Sequence, residues 1–445
     1  MSMRKYKDSG IPWIGKIPET WKIDRFKNKF KTGKGLNITK GDLVSEGIPV
    51  VSYGQVHSKK NTGTRLDNFL IRYIPQSIAE NGESSKVSVG DFIFADTSED
   101  IVGCGNAVYV DREIGLYAGY HSVIAFAKNP EESKYLAYLF LTECWRSQIR
   151  MRVTGIKVFS VSQAILNETT VILPPIDDQQ RIADYLDTKC GEIDSLIGLQ
   201  EQMIEKLKSY KQSVITEAVT KGLDPNANLV PSGFDWIGEI PEHWGMQRLK
   251  TLGWTQNGIS QSGDYFGEDY DYPFVSYSDV YKNYSLPYPK GRANSSDKDR
   301  KTYSLVEGDV LFTRTSETIE EIGFASTCLE SIEGAVFSGF LIRFRPTSKK
   351  LYKGFSKYYF RCHVHRAYFV KQMNIVTRAS LGQDLLKNLV VLLPPFSEQQ
   401  AIASYLDEKC ADIDRLITLK QQKIESLKDY KKSVIYEAVT GKTIL

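Results

Sequence analysis

The sequence predicts an α+β protein. Two duplicated mixed α/β domains are separated by two long helices whose matching coiled-coil seams can cover each other. Three observations predict this. A long stretch is repeated almost unchanged, the repeat carries a heptad seam, and the regions between the copies share short strand runs while their loops diverge.

Leu173 to Thr220 returns 220 residues later as Leu393 to Thr440, and about 31 of the 48 paired positions are identical. Self-similarity of this length points to internal duplication and sets the architecture. From Leu186 the core positions step alternately by four and three: Cys190, Ile193, Ile197, Gln200, Ile204, Leu207, Lys211, Val214 and Ala218. The second copy gives Leu406, Cys410, Ile413, Ile417, Lys420, Ile424, Leu427, Lys431, Val434 and Ala438. Mostly apolar first and fourth heptad positions are the coiled-coil pattern. Neither seam contains proline, and Gly191 and Gly198 lie off it, at a modest cost in helix propensity. At roughly 1.5 Å per residue each helix runs on the order of 55 Å. A core helix of one large domain would show a similar stripe, but two matching seams in one chain can cover each other. The polar core positions Gln200, Lys211, Lys420 and Lys431 are expected to fix the register at some cost in stability.

Taken in order, residues 1–172 form the first domain, 173–222 the first helix, 223–392 the second domain and 393–445 the second helix. Each domain opens on a shared segment: Asp8–Lys27 matches Pro231–Lys250, with Trp13/Trp236 and Trp21/Trp244 aligned. Glycine and proline punctuate it, so it reads as a structured loop, and its aromatics read as packing anchors. Ile48–Tyr53 then resembles Tyr272–Tyr277, and Gly90–Phe94 with Thr97-Ser98-Glu99 resembles Gly308–Phe312 with Thr315-Ser316-Glu317. These short β-branched and aromatic runs between turn residues predict strands. Helical patches are expected at 132–151 and 349–373. A retained framework with divergent loops is how two copies of one domain come to bind different targets.

The 445 residues exceed one compact core. A net charge of +3 is small for this length, so any surface for nucleic acid must be local. The N-terminus lacks an apolar signal segment, and no apolar run nears the length of a membrane span. The six cysteines form no CxxC pair and read as small core residues of a cytoplasmic protein. Catalytic signatures are missing. Gly103-Cys104-Gly105 lacks the third glycine of a nucleotide fingerprint, and Gly441-Lys442-Thr443 lacks the leading glycine of a P-loop. His363 and His365 have no supporting cysteine or carboxylate cluster, so chance or phosphate contact is the better reading and no metal is expected.

Basic, amide and aromatic side chains do gather in the two domains. The first has Gln55, His57, Lys59, Lys60, Asn61 and Arg65, then Arg146, Arg150, Arg152 and Lys157. The second has Tyr281, Lys282, Asn283, Lys290, Arg292, Asn294, Lys298, Arg300 and Lys301, then Arg361, Arg366, Lys371 and Arg378. Lys and Arg neutralise phosphates, while Arg, Asn and Gln can also read base edges. A solvated loop surface has the same composition.

The alternation of domains and helices, the WIGxIPExW segments and the LPPxxxQQxIxxYLDxK helix starts resemble the specificity (S) subunit of Type I restriction-modification systems. The resemblance covers essentially the whole chain. It implies that each variable domain recognises part of a split DNA target and that the two helices pack as an antiparallel coiled coil with pseudo-two-fold symmetry, acting as spacer and docking two methyltransferase (M) subunits. Gln179, Gln180, Gln399 and Gln400, which open the two equivalent helices, are the docking candidates. It implies restriction (R) subunits in the same complex, N6-methyladenine as the product, and S-adenosylmethionine bound by the M subunit, with no cofactor on this chain. Half-sites on double-stranded DNA about one turn apart, roughly 34–36 Å, are within reach of such a spacer. Two other readings stand beside it. One is a self-contained methyltransferase or nuclease, which the missing motifs disfavour. The other is a coiled-coil scaffold whose end domains bind proteins.

Overall fold

The computed structural model describes residues 5–11, 14–260, 265–267, 269–316, 322–372 and 379–443. It divides into two compact units: residues 1–200 with 422–445, and residues 201–421. Each long helix therefore gives one half to each unit.

The helices run Ile176–Lys221 and Phe396–Val439. Each follows a Pro-Pro pair, whose fixed φ suits a first turn and whose missing N–H costs nothing there. Each ends on a glycine at positive φ, Gly222 at 79° and Gly441 at 70°, where a side chain would be strained. In the first unit Ile182, Leu186 and Cys190 share a core with Val434, Ile435, Ala438 and Val439. In the second unit Val214, Ile215, Ala218 and Val219 share one with Ile402, Leu406 and Cys410. The chain directions are antiparallel in both units. Lys431 Nζ meets Asp194 Oδ1 at 2.7 Å in the first, and Lys211 Nζ meets Asp414 Oδ2 at 2.6 Å in the second.

The domain of the first unit is built on a four-stranded antiparallel sheet. Ser122–Ala127 pairs with Phe30–Lys34 on one side and Phe92–Ala95 on the other, and Phe92–Ala95 pairs with Ala107–Tyr109. Alternate side chains of a strand face opposite ways. Phe92 and Phe94 enter an aromatic core with Phe26, Phe30, Phe140 and Trp145. Ile93 and Ala95 enter a second core with Val51, Leu66 and Leu70. The first core is covered by helices Ser133–Phe140 and Glu143–Arg150. They are two helices because Thr142 takes an extended conformation between them. A smaller sheet, Tyr117–Ala118 parallel to Ile48–Val51 and then Arg72–Ile74 antiparallel, lies on the second core's side.

The second unit repeats this order. Leu341–Pro346 pairs with Gly253–Asn257 and Val310–Thr313, and Ala325–Thr327 completes the sheet. Val310 and Phe312 face one core and Leu311 the other. Helices Lys353–Tyr359 and Val364–Gln372 take the expected helical patch.

In each unit a tyrosine ties domain to helix. Tyr138 Oη donates to Asp187 Oδ1 at 2.6 Å, and Tyr358 Oη donates to Asp407 Oδ1 at 2.7 Å. Burial and then the carboxylate push both phenols well above their ordinary pKa.

One expectation needs correction in form. The opening segments are short hairpins, with Tyr6–Asp8 on Lys16–Pro18 and Leu229–Pro231 on Glu239–Pro241. Trp21 and Trp244 are buried as packing anchors, Trp236 is half-buried, and Trp13 lies outside the described residues. All six cysteines are buried. Among the described residues no helix is long and apolar enough to cross a membrane.

Candidate nucleic-acid interface

The first unit opens a cleft of about 800 Å³ at one end of its sheets. Its walls come from the short helix Tyr53–Val56 and the turn after it, from the loop between strands Thr97–Ser98 and Ala107–Tyr109, and from the start of helix Glu143–Arg150. Strand Ile48–Val51 delivers the chain to Ser52, which caps the short helix. Gln55 Oε1 completes the capping box by accepting from Ser52 N at 3.2 Å.

A relay of hydrogen bonds lines the cleft. Arg146 Nε donates to Phe140 O at 2.9 Å, and its Nη1 donates to Asn106 Oδ1 at 2.7 Å. Asn106 Nδ2 contacts His57 Nδ1 at 3.2 Å, and His57 Nε2 contacts Thr97 O at 2.7 Å. A carbonyl only accepts, so Nε2 carries the proton and Nδ1 accepts from the amide. Burial, and then neighbouring Arg150, lower the Arg146 pKa to about 10, so the guanidinium stays charged at neutral pH. At the mouth, the Tyr53 ring lies 5.5 Å from Tyr120 and 5.4 Å from His121. His121 is the one non-glycine residue at positive φ among the described residues, and its Nδ1 is 3.3 Å from Asp96. Lys59 and Val158 line the cleft, and exposed Ile156 and Lys157 stand in the loop beside it.

The second unit holds the same positions with different chemistry. Ser276 and Asp279 repeat the capping box, and Tyr277 stands where Tyr53 does. Tyr281 takes the place of His57 and Phe324 that of Asn106, and the two rings meet edge-on at 5.1 Å. The exposed residue before the central strand is Phe340 where the first unit has His121.

Several sequence-predicted contacts turn out to hold the fold. Asn61 Nδ2 donates to Val56 O and Ala107 O, and its Oδ1 accepts from Gly63 N. Its polar atoms are engaged within the chain, which leaves little to read a base. Arg361 does the same work in the second unit, donating to Val280 O, Asn283 O and Ala325 O. Arg150 pairs with Glu143 and donates to Val102 O, and Arg152 pairs with Glu168 and donates to Gln148 O. Arg292 donates to Pro289 O beside the Tyr288 ring, and Arg300 lies over the Tyr272 ring and bonds Ser295 O and Asp297. Arg65 pairs with Asp67 and stays exposed. Lys59, Lys60, Lys157, Lys282, Lys290, Asn294, Lys298 and Lys301 are exposed on the two domains. The Arg366 side chain and Arg378 lie outside the described residues.

Phosphate contact by His365 is overturned. The ring is fully buried, 4.5 Å from Tyr359 and 5.9 Å from Trp236. It stands 220 residues after Trp145 and fills that aromatic core position. The described residues hold no cluster of three metal-ligating side chains. Gln179 and Gln399 are buried too. Gln179 Nε2 donates to Pro174 O at 2.9 Å, and Gln399 Nε2 donates to Pro394 O at 2.9 Å. They lock the helix starts to the preceding turns and offer no face to a partner, whereas Gln180 and Gln400 are exposed.

The duplicated domains, paired helices and cleft can be set beside known proteins. The sequence model for the Type I restriction modification DNA specificity domain matches residues 18–209 and 241–429. The chain belongs to this family. Among specificity subunits, it is 24% identical over 438 residues to the putative type I restriction enzyme MjaX specificity subunit of Methanocaldococcus jannaschii, covering 96% of this chain and 95% of that one. It is 23% identical to the type I restriction enzyme EcoKI specificity subunit of Escherichia coli K12, covering 96% of this chain and 90% of that one. A chain in a solved structure concerned with assembly and conformational transition of the type I R-M system superposes with a TM-score of 0.69. That pair is 18% identical, with 96% of this chain and 99% of the other covered, and supports the fold.

The Arg146 relay was missed as a unit by sequence reasoning. Its members are separated by up to 89 residues in the chain, and no spacing rule links them. The signal that could have found it is the alignment of the two copies, which sets His57 and Asn106 against Tyr281 and Phe324.

Proposed function

We propose that the chain is the sequence-reading subunit of a Type I restriction-modification complex, that it binds double-stranded DNA, and that it carries no catalytic centre. Each unit reads one half of a split, asymmetric site. The observation that carries this reading is the set of equivalent positions in the two units, where the same scaffold places a polar relay in one and an aromatic pair in the other. Two copies of one binding surface with different linings suit two different half-sites. Exposed lysines on both domains supply the sequence-independent attraction to phosphates.

Chemistry comes from partners. Two M subunits, each holding S-adenosylmethionine, dock on the helices, and R subunits join the same assembly. Support comes from apolar side chains left in water on the helices. Leu196, Leu199 and Tyr430 are exposed in the first unit, and Leu416, Leu419 and Tyr210 in the second. These are the same three residues of the repeat, 220 apart, and Leu196 and Tyr430 hold the same heptad position flanking the seam. Two equal patches suit two equal partners.

Purified chain, DNA and labelled S-adenosylmethionine give no transfer on this reading. Adding M subunit gives methylation and a complex mass of two M per chain. Turnover by the chain alone, or saturation at one M, contradicts it.

A further inference from the structure

Arg146 lines the cleft with its guanidinium held at two of its three nitrogens. Nε is held by Phe140 O and one Nη1 hydrogen by Asn106 Oδ1. Asn106 is itself fixed by His57, and His57 by Thr97 O. The second Nη1 hydrogen and both hydrogens of Nη2 have no partner among the described residues, and Arg146 lines the cleft wall. Arg146 therefore brings to the cleft wall a planar guanidinium with unspent donors, held in one orientation.

The fold does not require this arrangement. In the second unit the two relay positions are taken by Tyr281 and Phe324, and the same sheet and capping box form around them. The polar relay is thus a property of the first unit's task.

We propose that Arg146 reads a guanine in the half-site bound by the first unit, with Asn106 and His57 as its positioning residues. Two in-plane N–H donors match two adjacent acceptors. In the major groove only guanine shows such a pair, N7 and O6 on one base. A guanidinium held by its own chain loses little rotamer freedom on binding, so its energy goes into discrimination. Lys59, exposed at the same cleft, is placed for a neighbouring phosphate. The inference rests on the proposed reading of DNA by this chain.

The test uses the full chain with its M subunit. The wild-type complex and Arg146→Gln are compared by sequencing the methylated motif and by competition among duplexes that vary one base pair at a time. The expected result is loss of preference for guanine at one position of one half-site, roughly ten- to a hundredfold, with the other half unchanged. Asn106→Ala gives a smaller relaxation at the same position. Methylation lowered uniformly over an unchanged motif assigns Arg146 to phosphate contact or packing and overturns the inference. If Arg146→Gln lowers Tm, Arg146→Lys decides, because it keeps the charge and loses the fork. An unchanged motif there also overturns the inference. A wild-type complex with no split motif overturns the reading beneath it instead.

Discussion

Trp145 and His365 hold one position in two copies of the same core, and the exchange has a pH consequence. Burial lowers the His365 pKa from about 6.5 to about 4. The unfolded chain therefore binds a proton that the folded chain refuses between these values. Stability from the neutral ring is complete above the unfolded pKa and is lost as pH falls through that window, by up to about 3 kcal/mol. Denaturant unfolding of the full chain at pH 7 and pH 5 should show about 2 kcal/mol of this loss, and His365→Phe should remove the slope. An equal slope in the variant would assign the acid sensitivity elsewhere. The same residue shows where sequence reading stops. His363-x-His365 looks like an exposed pair from spacing alone, and only the repeat alignment with Trp145 reveals a core site. Asn61 and Arg361 were likewise legible as polar but not as backbone ties, because the carbonyls they hold lie up to 81 residues away.

At the level of the helices, more was legible. Heptad spacing and the direct repeat predicted their existence and their seam, because these depend on local periodicity, whereas the antiparallel sense was implied only by the family resemblance and is seen in the two cores. The ion pairs show the register. Lys211 with Asp414 and Lys431 with Asp194 are one pairing made twice, since the lysines and the aspartates are each 220 residues apart. Both aspartates are half in water, so each pair contributes under about 1 kcal/mol and acts on register more than on stability. Asp414→Lys should lower Tm slightly, and Lys211→Asp in the same chain should restore it. Failure of the double exchange would mean that the pair does not set register. On the exposed flank, Leu196→Asp with Leu199→Asp should weaken binding of one M subunit by tenfold or more without changing Tm. The Leu416→Asp with Leu419→Asp pair should affect the other. Unaltered docking in titrations of both variants would move the partner surface away from the helices. The buried Gln179 and Gln399 were misread because an amide at a helix start looks the same in sequence whether it faces a turn or a partner.

For the whole molecule, the duplication implies that one half can serve as its own partner. Residues 1–222 carry one domain and one complete seam, and Asp194 and Lys211 supply both sides of the ion pair. An unpaired helix would leave its stripe in water at about 25 cal/mol per Å². The half-chain should form an antiparallel homodimer and, with M subunit, methylate a palindrome made from the first unit's half-site. Light scattering that finds a folded monomer would show the seams are not interchangeable. The division of labour between domains was legible only in outline. The sequence showed which frameworks match, while the cleft needed side chains from distant loops brought to one place. The most direct test is the methylated motif after residues 28–172 are replaced by the matching domain of another specificity subunit. One half of a split motif should change while the other half and the gap stay the same. A change in both halves, or in neither, would contradict it.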